Sequence, residues 1–306
     1  MKLSFVIPVF RNEGSIVPTY QKLVNLSKSV PFDYELIFVN DGSDDNSINE
    51  LIDLHHQDLN VKVLSFSRNF GQVPAMIAGW KEVTGEAVIT MSADLQEPIE
   101  LIADMISKWK AGNEIVICHR NDRDDSFIAN KASWVFYKLM KYVNSKMPKG
   151  GFDFLLIDKK ALFVLNQIDE RNRFFQGDIL WLGFNTAFIP YNRLKRTIGK
   201  SQWTLSKKLK YFLDGLLNTS YLPIRVMSLL GIMFSLFGFV YAIIIAYNRF
   251  MNNTPFDGWA PIMILILIIG GLIMLMLGII GEYVWRTYDE TRKRPIYIIK
   301  DRFEKE

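Results

Sequence analysis

Polar and charged side chains follow each of five apolar, strand-like runs in the first part of the chain. The loops are 8–13 (PVFRNE), 40–45 (NDGSDD), 68–71 (RNFG), 92–96 (SADLQ) and 119–123 (HRNDR). The carboxylate of Asp41 could accept hydrogen bonds from a base N–H or from ribose hydroxyls, and Gly42 allows a tight turn and the close approach of a ligand. Asp and Ser also favour turns and helix N-caps, so a purely structural role fits Asp41 equally well.

The loop 92–96 could contribute to a cation site. Asp94 follows an apolar run, and Gln96 lies two residues further on. Oxygen ligands on a loop suit Mg²⁺ or Mn²⁺, which usually complete their shells with water and substrate phosphates. One carboxylate alone is a weak metal signal. The chain lacks GxGxxG and GxxxxGK[ST], so dinucleotide-binding and P-loop proteins lose their main support.

The elements that must position these loops alternate along the chain. Strands are expected at Leu3–Val9, Tyr34–Val39, Val61–Phe66, Ala87–Met91 and Glu114–Cys118, and helices at Ile16–Leu26, Ile48–Leu54, Val73–Val83 and Ile99–Trp109. Continuous apolar strands alternating with helices indicate a mostly parallel α/β sheet that is covered on both faces. Ligands bind at the carboxyl ends of the strands in such sheets, which is where the five loops lie.

Two long uncharged segments lie near the C-terminus. Residues 226–247 and 258–281 contain 22 and 24 residues without a charge. A bilayer core needs about 20 helical residues, so each segment could span it, and the short loop Asn248–Asp257 predicts a hairpin. The alternative is a pair of buried core helices, but an apolar stretch of only ~10–14 residues is more typical of those.

Basic residues are concentrated beside the first span. Residues 193–225 contain eight Lys or Arg against one acid, Asp214, although the whole chain has a net charge of only +4. Positive flanks stay in the cytoplasm, so residues 1–222 and the C-terminal tail are expected there, on the inner face of the cell membrane. Such a stretch suits anionic headgroups or a phosphorylated lipid and argues against a nucleic-acid partner.

Helical spacing of apolar residues predicts an amphipathic helix over 203–220, lying in the membrane interface. Packing of this helix on its own domain is the alternative. The composition, 49% hydrophobic and 22% charged, excludes a disordered chain. The single cysteine, Cys118, excludes a disulfide framework and a thiolate metal cage.

Taken in order, several motifs resemble those of family 2 glycosyltransferases, in particular the polyprenyl-phosphate glycosyltransferases. They are PVFRNEG, VNDGSDDNS, SRNFGQVPAMIAGW, SADLQEP, GGFDFLLID, RTIGKSQW and LPIRVMSLLG, and the tail GEYVWRTYDETRKRPIY resembles the bacterial undecaprenyl-phosphate branch. The resemblance implies a GT-A catalytic domain, Rossmann-like with a mostly parallel sheet, over 1–222. A two-helix transmembrane hairpin and a cytoplasmic tail would then form a membrane domain over 223–306.

The resemblance also implies roles for individual residues. The residues that match the family's nucleotide-sugar site are Pro8, Phe10, Asn40, Asp41 and Gln96. Asp94 and Gln96 match the Mg²⁺ or Mn²⁺–diphosphate site, although Ser92 stands where the family usually has a first Asp. Arg120 matches a basic residue that faces the phosphates, and Arg196 begins the RxxGxS stretch, ending at Ser201, that grips phosphate near the membrane. The family often has Lys after that Ser, where this chain has Gln202, so Lys200 or Arg193 is a candidate to replace the contact, and Arg123 is a further candidate phosphate contact. Asp153, in GFDF, matches the acid near the reacting centre and is, with Asp94, a candidate catalytic residue.

The implied reaction is the inverting transfer of a hexose, with UDP-glucose the expected donor, to undecaprenyl phosphate for cell-surface glycan modification. The phosphate of such a lipid is anionic near neutral pH because its second pKa is about 6. Alignment and stabilisation of the departing diphosphate therefore matter more than a strong base. Asp153 either takes a residual proton or is a structural carboxylate paired with an Arg.

Three function classes stay open on the sequence. They are a polyprenyl-phosphate glycosyltransferase, a processive polysaccharide synthase and a non-catalytic membrane scaffold. A processive synthase usually needs more spans and a QxxRW motif, which the chain lacks, and a scaffold would not need polar loops at every strand end. The favoured class implies a flippase and a downstream glycosyltransferase as pathway partners and leaves a homo-oligomer open.

The charge asymmetry predicts that the loop Asn248–Asp257 is extracytoplasmic. In intact cells, Asn252→Cys should therefore react with a membrane-impermeant thiol reagent, whereas Lys2→Cys should react only after permeabilisation. Labelling at position 2 without labelling at position 252 would contradict this orientation.

Overall fold

The computed structural model of the protein describes residues 1–120, 146–148, 151–194, 215, 217, 222–252 and 258–304. Its strands are β1 (Lys2–Val9), β2 (Asp33–Asn40), β3 (Val61–Phe66), β4 (Ala87–Thr90), β5 (Ile115–Arg120), β6 (Phe154–Asp158), β7 (Thr186–Tyr191) and β8 (Ile299–Phe303). Its helices are α1 (Ile16–Ser29), α2 (Ser47–Gln57), α3 (Gln72–Lys81), α4 (Leu101–Lys110), α5 (Lys159–Leu165), α6 (Phe175–Trp181), α7 (Leu222–Asn252) and α8 (Trp259–Thr291). Two compact units result: unit 1 comprises Met1–Phe212 with Arg294–Glu306, and unit 2 comprises Leu213–Lys293.

Unit 1 contains one mixed sheet in the order β7-β5-β6-β4-β1-β2-β3-β8. The strands β4, β1, β2 and β3 pair in parallel, as do β5 and β7, whereas β6 and β8 run antiparallel to their neighbours. This arrangement confirms the predicted α/β class. The ends of β1 to β5 and of β7, and the start of β6, therefore meet at one edge of the sheet.

The central strands are buried on both faces, which explains their continuous apolar sequences. On one face of β1, Leu3, Phe5 and Ile7 pack in a cluster with buried residues of α1, α2 and α4. On the other face, Val6 lies against α3, where an added Cβ at Gly79 would be 2.4 Å from Val6 Cγ1. Glycine at this position thus allows α3 to approach the sheet closely.

The chain returns to unit 1 after α8. There β8 pairs antiparallel with β3 as an edge strand, and Arg302 forms an ion pair with Glu82 at 2.9 Å. The sequence placed all of 223–306 in a membrane domain, whereas in the structure Arg294–Glu306 belongs to unit 1. The short polar sequence of β8, IKDRF, gives no apolar run from which this strand could be predicted.

Unit 2 contains the two long apolar helices that the sequence predicted. They extend beyond the expected spans 226–247 and 258–281, because α7 covers Leu222–Asn252 and α8 covers Trp259–Thr291. Within them, Pro223–Ile245 and Ile268–Thr291 are long and apolar enough to cross a membrane, and neither stretch is buried. Near the end of α8, Arg286 Nε donates to Glu282 Oε1 at 3.0 Å, so these two charges are paired.

A buried carboxylate stabilises the opposite edge of the sheet. Glu35 of β2 accepts hydrogen bonds from the Ser4 hydroxyl and from Thr84 N and Oγ1, the latter two at 2.6 Å. It also pairs with Lys2 at 3.2 Å and Lys62 at 3.4 Å. Burial opposes ionisation, but these hydrogen bonds and the Lys62 charge outweigh it and lower the pKa of Glu35 to about 2.

Glu35→Gln should lower the free energy of unfolding by about 2–4 kcal/mol, because two lysines and several donors lose their buried anion. The folded-state pKa lies below the ordinary value of 4.5, so this stabilisation should be present above that pH and be lost as the pH falls towards 2. Thermal unfolding of both proteins across this range measures it. The exposed Glu86→Gln is the control, and an equal effect of the two substitutions would contradict the assignment.

Candidate active site

The loops after β1 and β2 hold each other in place. Arg11 donates from Nε and Nη2 to the two carboxylate oxygens of Asp44, each at 2.6 Å, and its backbone N donates to Ser43 Oγ at 3.1 Å. Arg11 has a φ of +54°, which costs a non-glycine residue energy unless its surroundings fix it. Beside it, Phe10 N donates to Asn12 Oδ1 at 2.9 Å. The half-buried Phe10 therefore lies on a loop whose conformation these hydrogen bonds fix.

Asp41 connects the loop after β2 to the start of α3. Its carboxylate is buried and accepts from Phe70 N at 2.6 Å and from Gly71 N at 2.9 Å, which places a negative charge at a helix N-terminus. Gly42 has a φ of +63°, and an added Cβ would lie 2.3 Å from the backbone carbon of Arg68. The space that the sequence assigned to a closely approaching ligand is thus taken by the loop after β3.

Asn40, the last residue of β2, links this strand to β3 and to the loop that follows β2. Its Nδ2 donates to Ser65 Oγ at 3.1 Å, and its Oδ1 accepts from Ser43 N at 3.1 Å. Both ends of the amide are thus engaged within the protein. Pro8 lies one residue before the end of β1, next to Val39 of β2, and is half-buried.

Ser92 contacts two carboxyl groups at once. Its Oγ lies 2.8 Å from Asp94 Oδ1 and 2.5 Å from Glu97 Oε2. A serine hydroxyl carries one proton and cannot donate to both. Burial, and next the negative charges of Asp153 and Asp94, raise the pKa of Glu97 to about 8. A protonated Glu97 therefore donates to Ser92, which in turn donates to Asp94.

The same loop is bound to the chain after β7. Gln96 Nε2 donates to Leu194 O at 3.0 Å, and Leu194 N donates to Gln96 O at 3.0 Å. Arg193 Nη2 lies 3.5 Å from Asp94 Oδ2. Leu95, between the two predicted ligands, has a φ of +59°, a second strained position at this edge. The predicted residues Asp94, Gln96 and Arg193 are thus brought together.

An ion pair lies at the ends of the neighbouring strands. Arg120 Nη2 contacts Asp153 Oδ2 at 2.9 Å, and Tyr191 of β7 is paired with Arg120 in the strand register. Asp153 Oδ1, Arg120 Nε and the Tyr191 hydroxyl are buried without a hydrogen-bond partner among the described residues. Burial, then the charges of Asp153 and Glu97, raises the pKa of Tyr191, so its hydroxyl remains protonated. Unpaired buried polar atoms are costly and typical of ligand sites.

The Ser92–Asp94–Glu97 cluster and the Arg120–Asp153 ion pair lie close enough to interact, because the charges of Asp94 and Asp153 both raise the pKa of Glu97.

Four predicted phosphate contacts, Arg123, Arg196, Lys200 and Ser201, lie outside the described residues. So does the predicted helix over 203–220, apart from residues 215 and 217.

Residues 4–163, more than half of the chain, match the family model described as glycosyl transferase family 2. The chain belongs to this glycosyltransferase family. Its relatives extend the match to nearly the full length. The glycosyltransferase is 37% identical to the uncharacterized glycosyltransferase YkcC of Bacillus subtilis, over 98% of this chain and 94% of that protein.

A second relative is named bactoprenol glucosyl transferase, from Shigella phage SfX; it is 35% identical over 99% of this chain and 100% of that protein. Among solved structures, the mannosyl-3-phosphoglycerate synthase of Rubrobacter xylanophilus matches with a TM-score of 0.51 and 14% identity, over 70% of this chain and 71% of that chain. This likeness supports the predicted GT-A fold.

Glycosyltransferases of this fold commonly use a divalent metal. Among the described residues, no three His, Cys, Asp or Glu side chains group around a common point. The chemistry of the donor set nevertheless fits Mg²⁺ or Mn²⁺, which need only one or two carboxylates when substrate phosphates supply other oxygens. Asp94 would provide one carboxylate, and the Gln96 amide, whose Nε2 donates to Leu194 O, would provide a carbonyl oxygen.

Sequence reasoning missed two residues of this glycosyltransferase site, Glu97 and Tyr191. Glu97 comes three residues after Asp94 and directly before Pro98. Its position in a loop that follows a strand could have indicated a site residue. Tyr191 could have been found only by predicting β7, whose sequence TAFIPY has one buried face.

Restoring a carboxylate by Ser92→Asp would place a third acid against Asp94 and Glu97. With a chelator present, the unfolding temperature of this variant should be about 2–6 °C below that of the wild-type enzyme, because the added carboxylate repels its neighbours. Added Mn²⁺ should recover most of the difference, because a bound cation removes that repulsion. Thermal unfolding with and without Mn²⁺ measures this. The exposed Ser107→Asp of α4 is the control; a Ser92→Asp loss that Mn²⁺ leaves unchanged would contradict the cation site.

Proposed function

We propose that this enzyme transfers glucose from UDP-glucose to undecaprenyl phosphate at the cytoplasmic face of the cell membrane. The observation that carries the proposal is the match to the bactoprenol glucosyl transferase of phage SfX, which covers 99% of this chain, including both apolar helices, and 100% of that protein. The site at the strand ends supports the proposal. Its carboxylates could hold a cation for the diphosphate, and its guanidinium groups could contact a second phosphate.

The donor would bind across the ends of β1, β2 and β4. Phe10 and Pro8 would form the wall beneath the base, and the Asp41 carboxylate would accept hydrogen bonds from the base. A divalent cation held by Asp94 and Gln96 would neutralise the diphosphate as it leaves.

Three charged residues would act on the acceptor phosphate. Arg193 pairs with Asp94 at 3.5 Å, and a cation on Asp94 would release the guanidinium to contact phosphate. Arg120 would screen the repulsion between lipid phosphate and diphosphate while it holds Asp153 at 2.9 Å. The acceptor is already anionic at neutral pH, so Asp153 orients it or takes a residual proton, and one in-line displacement inverts the anomeric carbon.

The membrane arrangement rests on connectivity and charge. Both ends of unit 2 continue into unit 1, as expected when α7 and α8 form a hairpin with its ends on one side of the membrane. The Lys and Arg residues of 193–225 support the cytoplasm as that side. The product would then need a flippase before a downstream glycosyltransferase could use its sugar outside.

The direct test is a panel of labelled nucleotide sugars with undecaprenyl phosphate in liposomes and the purified full-length enzyme. The expected result is label in the lipid fraction from UDP-glucose, as a single sugar per lipid. Products with many sugars would instead indicate a processive synthase. An enzyme that binds nucleotide sugar but labels no lipid would contradict the proposed acceptor.

Asp94→Ala should abolish transfer and weaken metal-dependent binding of UDP, because it removes the carboxylate that holds the cation. Asp104→Ala, on the exposed side of α4, is the matched control and should behave as wild type. Calorimetric titration with and without Mn²⁺ beside the transfer assay measures both effects. Normal activity of Asp94→Ala in chelator would rule out the metal assignment.

Arg196→Ala should slow transfer to lipid about ten- to a hundredfold, the loss of a charge-assisted phosphate contact of roughly 1.5–3 kcal/mol, and should spare donor binding. Arg196→Lys should recover only part of the lost transfer rate, because a lysine ammonium cannot make the bidentate contact of a guanidinium. Donor calorimetry and lipid-dependence kinetics on the same variants separate the effects. A collapse of donor affinity with normal lipid dependence would assign Arg196 to the diphosphate.

A further inference from the structure

The segment that follows α8 runs past the loop that holds Asp41. We call Arg294–Phe303 the C-terminal segment. Within it, Ile298 O accepts from Ser67 N at 3.0 Å, and Ile299 pairs with Phe66 at the end of β3. The ring of Tyr297 stacks on that of Phe66, with centroids 5.1 Å apart and planes at 8°. The C-terminal segment therefore contacts the same edge of the sheet as the proposed base site.

Ring contacts continue from Tyr297 towards Asp41. Phe66 meets Phe70 edge to face, with centroids 5.7 Å apart and planes at 89°. The backbone N of Phe70 then donates to Asp41 Oδ1 at 2.6 Å. Both ring geometries are those that aromatic side chains prefer. Three successive contacts thus join a residue of the C-terminal segment to the carboxylate at the end of β2.

We propose that Tyr297 is a positioning residue for the nucleotide: its ring fixes Phe66 and Phe70, and through them the Asp41 carboxylate that receives the base. This inference rests on the proposed function, which places the base at Asp41. Tyr297 would touch neither sugar nor phosphate, so it should affect donor affinity and leave the transfer step unchanged.

The loop after β3 needs such support. Beyond the ring contacts, Arg68 lies over the Phe70 ring, with its Cζ 4.1 Å from the centroid, and it is exposed. Without Tyr297, one face of Phe66 would lose its aromatic neighbour, and Phe70, which packs edge to face on Phe66 and donates its backbone N–H to Asp41, would be fixed less firmly. A more mobile Asp41 carboxylate would bind a base less tightly, because binding would then cost the conformational entropy that the carboxylate loses when it becomes fixed.

The chain offers a control that removes one side-chain contact of β8 and leaves the aromatic rings in place. Arg302 lies further along β8 and pairs with Glu82 at 2.9 Å, with its side chain 46% exposed. An exposed pair contributes little stability. Arg302→Ala is therefore a matched control, because it removes a side-chain contact of the same segment without removing a ring.

The experiment is calorimetric titration of UDP with Mn²⁺ into the full-length enzyme in detergent, for wild type, Tyr297→Ala, Tyr297→Leu, Tyr297→Phe and Arg302→Ala. Tyr297→Ala and Tyr297→Leu should weaken UDP binding about three- to tenfold, the size expected for loss of an aromatic pair. Tyr297→Phe and Arg302→Ala should bind as wild type. The KM for donor should rise by the same factor, with kcat and the KM for lipid phosphate unchanged.

Equal UDP affinity in wild type and in a folded Tyr297→Ala or Tyr297→Leu variant would overturn the inference, and so would an equal loss in Arg302→Ala. Tyr297→Leu keeps apolar bulk, so it provides the comparison if Tyr297→Ala does not fold. A wild-type enzyme that binds no UDP would overturn the proposed donor itself, which separates the failure of the proposed function from the failure of the Tyr297 assignment.

Discussion

Three carboxyl groups and two guanidinium groups share one end of the sheet, and their charge balance determines what the site can bind. Asp94 has Arg193 beside it at 3.5 Å, and Asp153 has Arg120 at 2.9 Å. Burial, and next the negative charges of Asp153 and Asp94, raise the pKa of Glu97, so this third carboxyl group keeps a proton near neutral pH. Two further anions, a diphosphate and a lipid phosphate, can enter only with added positive charge, which is the physical reason to expect a divalent cation.

The parallel sheet makes this concentration of charge possible. The ends of five strands from distant parts of the sequence meet at one edge because β1 to β5 run in the same direction, and hydrogen bonds between the loops that the structure describes hold those loops there. Asp41 is engaged by the start of α3, and Gln96 by the chain after β7. Left-handed backbone at Arg11 and Leu95 occurs in these loops, where cross-loop bonds fix it.

The central strands could be predicted from the sequence because burial on both faces leaves uninterrupted apolar runs. The partners of the site residues could not, since they depend on tertiary contacts: Asp41 is held by backbone N–H groups about thirty residues away, at Phe70 and Gly71. β8 was missed because its polar sequence pairs with β3, more than two hundred residues earlier. The contact of Ser92 with Glu97 depends on how the loop folds and could not be read from the sequence.

The anomeric configuration of the product tests the central claim, a single in-line transfer from nucleotide sugar to lipid phosphate at these strand ends, most directly. The enzyme would be incubated with undecaprenyl phosphate and UDP-glucose, whose sugar is α-linked, and the extracted lipid examined by NMR. The account predicts a β-linked glucosyl phosphate. An α-linked product would contradict it, because a single in-line displacement inverts the anomeric carbon and retention would need a different course of reaction.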